Sequence, residues 1–354
     1  MPDERDIILH MPSSLLAQLG ASANSAAQHY LFADERARRA PRTVMKHDDD
    51  LACFARYIRA AAGLPGPDPG PDGILPPNPL TTSAESWAGV TWGLLKAFAA
   101  WMLQEGYSMS SVNGRMATVR LYALWASQAG VIAPEELILI QGVKGYDRKA
   151  AYNIDQVREV SRVGAKKAVF RVISTDDAKR LKAQPNTPQG RRDAVLLGIL
   201  IDHGLRCGEL AMLRVEHFDA KRGTMTFYRP KIYRTQTHNL TGATKRAVAA
   251  YLREDAIMAG PLLLSSRKGG QLTHQGMTER AITARVADLG KLVGIPDLSA
   301  HDLRHSWATF AARNHTPLER LQDAGGWNSP DMPVRYIEAA KIANEGVKLG
   351  LDDD

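Results

Sequence analysis

His301-Asp302-Leu303-Arg304-His305 is the stretch on which the reading of this chain turns. It opens an apolar helical pattern over 302–312, where residues three apart share a face, so His301 and Arg304 project from one side. A second arginine stands upstream in His203-Gly204-Leu205-Arg206-Cys207-Gly208-Glu209-Leu210, just beyond a buried apolar helix expected over 194–201. Glu209, three residues on, can brace Arg206 if that segment is helical. Two guanidiniums that meet can fork onto the non-bridging oxygens of one phosphate. Downstream, Gly325-Gly326-Trp327 offers an indole N–H on a tight glycine turn, and Tyr336 follows in Pro333-Val334-Arg335-Tyr336-Ile337. Phosphoryl transfer needs this kind of setting, cations and donors gathered around the transferring oxygens.

The surrounding pattern predicts a mainly α chain with a small antiparallel β-sheet. Ser174-Thr175-Asp176-Asp177 reads as a capped helix start, with acids in the first turn. Thr224 to Tyr233 mixes β-formers with Pro230 and Lys231, which predicts a hairpin. Helical patterns return over 247–252, 278–292 and 317–324. Nearer the N-terminus, helical signals begin at Pro41-Arg42-Thr43, and Leu51, Phe54, Ala55 and Ile58 recur at amphipathic spacing. The Pro- and Gly-dense stretch 63–79 reads as a surface loop, followed by helices over 87–103 and 111–128. The expected organisation is an arm over 1–40, polar, Ala-rich and partly ordered, then a helical domain over 41–145. A basic linker over 146–173 and a second domain over 174–354 complete it.

Charge points to the partner class. The net charge of +7 favours a polyanion, and the basic residues crowd between Lys144 and Arg192 with few acids among them, a stretch that could track a phosphate backbone or serve as a solvated linker. No apolar run is long enough to span a bilayer. The first six residues, acidic and polar, do not read as a secretory signal. Two cysteines, Cys53 and Cys207, give neither a disulfide framework nor a thiolate cluster, so a reducing cytoplasm is the expected setting.

Over roughly 40–354 the chain resembles the tyrosine recombinase/integrase family. The Gly-Leu-Arg-x-x-Glu-Leu segment matches at Arg206, the hairpin lysine at Lys231, the His-x-x-Arg pair at His301 and Arg304, the His or Trp after a glycine turn at Trp327, and the nucleophile at Tyr336. All six roles stand in the family's order. Within the family the chain is similar to the Cre-like branch, since Trp327 occupies the place where most relatives carry His. The resemblance implies a two-domain, C-shaped clamp on double-stranded DNA: a core-binding domain followed by a catalytic α+β domain. It implies a homotetramer that exchanges C-terminal helices, with no membrane association. The implied chemistry is strand cleavage and rejoining through a 3′-phosphotyrosine and a Holliday junction, with no cofactor, metal or ATP. Tyr336 would attack; His301 would act as base or proton relay; Arg206, Arg304 and the Trp327 N–H would stabilise the phosphorane-like charge; Lys231 would protonate the 5′-oxygen. Glu209 and His305 would support the site. Expected DNA contacts are Arg42, Thr43, Lys46, Arg115, Arg120, Arg229 and Arg280, the last a candidate for base contact from the helix over 278–292.

Other readings compete. A telomere resolvase or type IB topoisomerase shares the chemistry, and a non-catalytic relative would bind DNA alone. The spacing His301-x-x-x-His305 is also that of a zinc metalloprotease helix. Asp302 in place of the catalytic Glu, a fixed charge at Arg304 and no evident third ligand weigh against that reading.

Overall fold

The computed structural model describes residues 13–67, 76–161 and 170–340. The chain divides into two compact units, 1–166 and 167–354.

In the first unit the helices are α1 (Ser13–Ala37), α2 (Pro41–Ala61), α3 (Trp92–Gln104), α4 (Met109–Gln128), α5 (Pro134–Gly142) and α6 (Arg148–Val157). The expected arm over 1–40 thus contains a long helix from Ser13, residues 1–12 lying outside the described residues. Its pattern is weak because Leu15, Leu16 and Leu19 are exposed; Phe32 is its buried anchor, edge-on to Tyr122 and Trp125. Pro41 starts α2, its fixed φ suiting the first helical turn. Leu51 and Phe54 are fully buried against Trp87, Leu95, Phe98 and Tyr122. Thr91 and Ser108 cap α3 and α4 through bonds from Leu94 N and Ser111 N. The helix expected over 87–103 therefore begins at Trp92, after a short 3-10 turn at Glu85–Trp87.

The second unit holds α7 (Thr175–Lys182), α8 (Pro188–His203), α9 (Cys207–Ala211), α10 (Gly242–Glu254), α11 (Glu279–Leu292), α12 (Ala300–Arg313), α13 (Leu318–Gly325) and α14 (Asp331–Ala340). Strands β1 (Phe218–Asp219), β2 (Thr224–Arg229) and β3 (Arg234–Asn239) form an antiparallel sheet in that order, and β4 (Leu264–Ser266) pairs with β5 (Leu272–Gly276). The core is built on α8, whose Val195, Leu196, Leu197, Ile199 and Leu200 are solvent-free; Val248, Ile282, Val286 and Leu303 from α10, α11 and α12 pack around it. Mainly helical with small antiparallel sheets, this is the expected fold class.

Candidate active site

The second unit supplies every residue of the site. The α8 helix ends at Gly204, which adopts a left-handed φ of 60°. A Cβ there would stand 2.2 Å from the Trp307 ring, so the turn needs glycine on both counts. That turn delivers Arg206 to the N-terminus of α9. Glu209 returns to bind both the Arg206 backbone N–H (2.9 Å) and its guanidinium (2.8 Å), closing the brace expected from their spacing.

The hairpin contributes a residue whose role the sequence reading placed elsewhere. Arg229, expected to contact DNA, is fully buried. Alternation along β2 puts it on the inward face with Met225 and Phe227, a period-2 signal legible in the sequence. It donates to Glu209 (2.8 Å), to the Ala324 carbonyl (2.7 Å) and to Gln236. Burial pushes the Glu209 carboxyl up, but Arg229 and Arg206 outweigh that and hold it below the usual carboxylate range. Lys231 lies on the exposed turn between β2 and β3.

Helix α12 begins with a reciprocal cap. Ser299 Oγ accepts from Asp302 N, and Asp302 accepts from Ser299 N at 2.8 Å. One turn in, Arg304 is 3% exposed, donates to the carbonyls of Gly204 and Gly325, and lies 4.7 Å from the Trp327 ring centroid. Burial and the like charge of Arg206 push its pKa down to about 9, which leaves it charged at neutral pH. Three arginines thus converge on the carbonyls that end α13: Arg229 on Ala324, Arg304 on Gly325 and Arg206 on Gly326 (2.8 Å). Carbonyls at a helix C-terminus carry partial negative charge, which suits cations. Gly326 takes a φ of 59°, and a Cβ on it would meet Arg229 Cδ at 2.6 Å.

Trp327 follows that turn, its ring 6.1 Å from Trp307 and 5.7 Å from Tyr336. Tyr336, on α14, is 4% exposed, and its hydroxyl is 2.6 Å from His305 Nδ1. Burial raises its pKa, opposed by Arg304 and Arg335. The structure therefore brings His305, not His301, to the hydroxyl; His301 is exposed, edge-on to the His305 ring at 4.3 Å. With His305 committed to Tyr336, the histidine pair is not arranged as a metal centre, and no set of three His, Cys, Asp or Glu suited to a metal occurs among the described residues.

Two arginines, an indole and a tyrosine thus meet from four separated elements. The model of the phage integrase family matches residues 171–342. The chain is 25% identical over 309 residues to tyrosine recombinase XerD of Listeria monocytogenes serotype 4b (strain F2365), covering 85% of this chain and 89% of that one. It is 24% identical over 273 residues to tyrosine recombinase XerC of Herpetosiphon aurantiacus, covering 72% and 81% respectively. Over its second unit the chain carries a phage integrase family domain, and over most of its length it is similar to tyrosine recombinases. Among solved structures, a lambda integrase dimer bound to a COC′ core site superposes with a TM-score of 0.57 at 14% identity, covering 96% of this chain and 83% of that one. A lambda integrase tetramer bound to a Holliday junction gives the same TM-score at 15% identity, with 92% and 81% covered. These two likenesses establish the fold.

The expected DNA contacts divide. Arg42, Thr43 and Arg280 are exposed. Lys46 pairs with Asp50, and Arg120 is turned to the Val143 carbonyl, a brace between α4 and the end of α5. Arg115 lies over the Tyr107 ring at 4.3 Å, and two of its buried nitrogens have no hydrogen-bond partner among the described residues. The C-terminal helix expected to pass between subunits falls on 341–354, outside the described residues. No described helix is long and apolar enough to cross a membrane.

Proposed function

We propose that the protein cleaves and rejoins DNA strands through a covalent 3′-phosphotyrosine at Tyr336. The observation that carries this reading is the meeting of Arg206, Arg304, Trp327 and Tyr336 around one carbonyl-rimmed turn. A scissile phosphate in reach of both guanidiniums has its non-bridging oxygens neutralised as the phosphorane forms. Tyr336 attacks phosphorus, the bond to the 5′-oxygen breaks, and Lys231, on its exposed turn, supplies the proton that oxygen needs. His301, at the exposed rim beside Arg304, adds a donor to the phosphate. Rejoining reverses the steps with a 5′-hydroxyl from another strand. The phosphodiester bond energy is kept in the phosphotyrosine, so neither ATP nor a metal enters the scheme.

The protein works, on this reading, as a homotetramer that passes through a Holliday junction, with both the helical unit and the catalytic unit binding the duplex. Arg42, Thr43 and Arg280 are its exposed candidates for DNA contact. Trp327 at the position of the usual histidine supports placing it in the Cre-like branch, with the segment after Tyr336 exchanged between subunits. The cytoplasm is its site of action.

The test is covalent trapping in EDTA on nicked duplexes tiled across the chain's own genomic neighbourhood, beside Tyr336→Phe. A denaturation-resistant adduct lost in the variant is expected. An adduct that persists in the variant, or one that needs magnesium, overturns the reading.

A further inference from the structure

His305 is held from several directions. Its Nδ1 meets the Tyr336 hydroxyl at 2.6 Å. The Phe170 ring covers it in a near-parallel stack, 9° between planes and 4.0 Å between centroids. Phe170 is fixed in turn by the residues that follow it. Arg171 N donates to Asp302 Oδ1 (2.8 Å), and Ile173 N donates to Ser306 Oγ (3.0 Å). Phe170, Arg171 and Ile173 therefore attach in succession to His305, Asp302 and Ser306 on one turn of α12. A stack this close fixes the plane of an imidazole, and the plane decides whether Nδ1 points at the tyrosine.

We propose that His305 receives the Tyr336 proton during strand cleavage, and that Phe170 is the positioning residue that holds the imidazole for that transfer. This rests on the phosphotyrosine reading above. With the ring in its Nε2–H tautomer, Nδ1 accepts the phenolic proton as the tyrosine oxygen bonds to phosphorus. The bond from phosphorus to the 5′-oxygen breaks, and that oxygen takes its proton from Lys231. On rejoining, the 5′-hydroxyl attacks phosphorus and gives its proton back to Lys231, while the bond to Tyr336 breaks and His305 returns its proton to the tyrosine oxygen. The groups that face His305 are His301, Asp302 and Arg304 from its own helix and Tyr336, with Arg335 beside it, from α14; Phe170 presents no charge. Burial first, then His301, with Arg304 adding to them and Asp302 opposing, pushes the imidazole down to about 4, so it is unprotonated and ready to accept. An arriving phosphate anion favours the imidazolium and so favours the transfer.

Two measurements on the full chain test this. In ¹⁵N-histidine NMR of the free protein, the His305 signals are expected in the Nε2–H tautomer and are expected to shift in Tyr336→Phe. Signals that do not respond to loss of the hydroxyl would remove the contact and overturn the proposal, whether or not a DNA substrate is in hand. The second measurement is the rate of adduct formation against pH, on the duplex that gives the Tyr336-dependent adduct. His305→Asn, which keeps an acceptor near the Nδ1 position but cannot take the proton, is expected to slow the step by about 10²-fold or more. Phe170→Leu is expected to move the acid limb from about pH 4 up towards 6.5 as burial is relieved, and Phe170→Trp to restore it. An unshifted acid limb in Phe170→Leu, or a wild-type rate in His305→Asn, would overturn the proposal. A lack of adduct on every duplex would instead count against the parent reading, leaving the NMR result to decide the contact.

Discussion

Replacing Glu209 by Gln isolates the charge that holds the arginine cluster together. The amide keeps the shape and one acceptor, but it removes the carboxylate that bonds both Arg206 and Arg229. Arg229 is wholly buried and Glu209 is 3% exposed, so the pair is shielded from water. Removing one partner of such a pair costs about 3–5 kcal/mol, because the remaining charge stays buried and uncompensated. An exposed pair such as Lys179–Asp176 would lose only about 0.2–1 kcal/mol. The carbonyls of Ala324 and Gly325 still accept from Arg229, which places Glu209→Gln towards the lower end of that range. The sign with pH follows from the depressed carboxyl. A group held below its unfolded pKa stabilises above that value and loses its contribution as pH falls through the folded pKa. Urea unfolding of wild type and variant should thus differ by about 3 kcal/mol at any pH from 8 to 5, and the gap should close below about pH 4. A difference under about 1 kcal/mol at pH 7, or one that persists unchanged at pH 3, would refute the claim that this charge organises the site.

Gly326→Ala should destabilise the second unit by at least 1–2 kcal/mol, roughly the cost of a left-handed alanine plus the clash with Arg229, read as a lower melting temperature. Lys231→Ala, on an exposed turn, should leave the urea midpoint unchanged while slowing cleavage, and a substrate with a 5′-thiol leaving group should recover the rate because it needs no proton. His203 and His238 are both pushed by burial to about 4. A buried neutral histidine stabilises fully above the ordinary 6.5 and progressively less below it, so at pH 5 each should cost about 2 kcal/mol, and His238→Gln should flatten that slope in urea titrations.

The order Arg206, Lys231, His301, Arg304, Trp327, Tyr336 could be read in the chain because each sits in a short local pattern with a chemical reason. The brace between Arg206 and Glu209 was legible too, as a spacing of three. What local patterns carry poorly is the direction of a side chain decided by distant elements. Alternation along β2 marks Arg229 as inward-facing, but that it meets Glu209 and the end of α13 there is decided by distant elements. Whether His301 or His305 meets the tyrosine depends on how α14 packs against α12, a matter of tertiary geometry with no trace in either segment. The helix from Ser13 went unseen because its apolar residues form no continuous stripe: Leu31 and Phe32 pack on the core, while Leu15, Leu16 and Leu19 are exposed.

Each of the three arginines takes hold of a main-chain oxygen, at 324, 325 and 326. A backbone oxygen survives nearly any change of amino acid at its position. Ala324 should therefore accept diverse replacements in a randomised library, whereas Gly325 and Gly326, where a Cβ would strike Trp327 and Arg229, should accept almost none. Such wiring lets the surface around the cluster diverge to suit new DNA while the guanidiniums keep their aim.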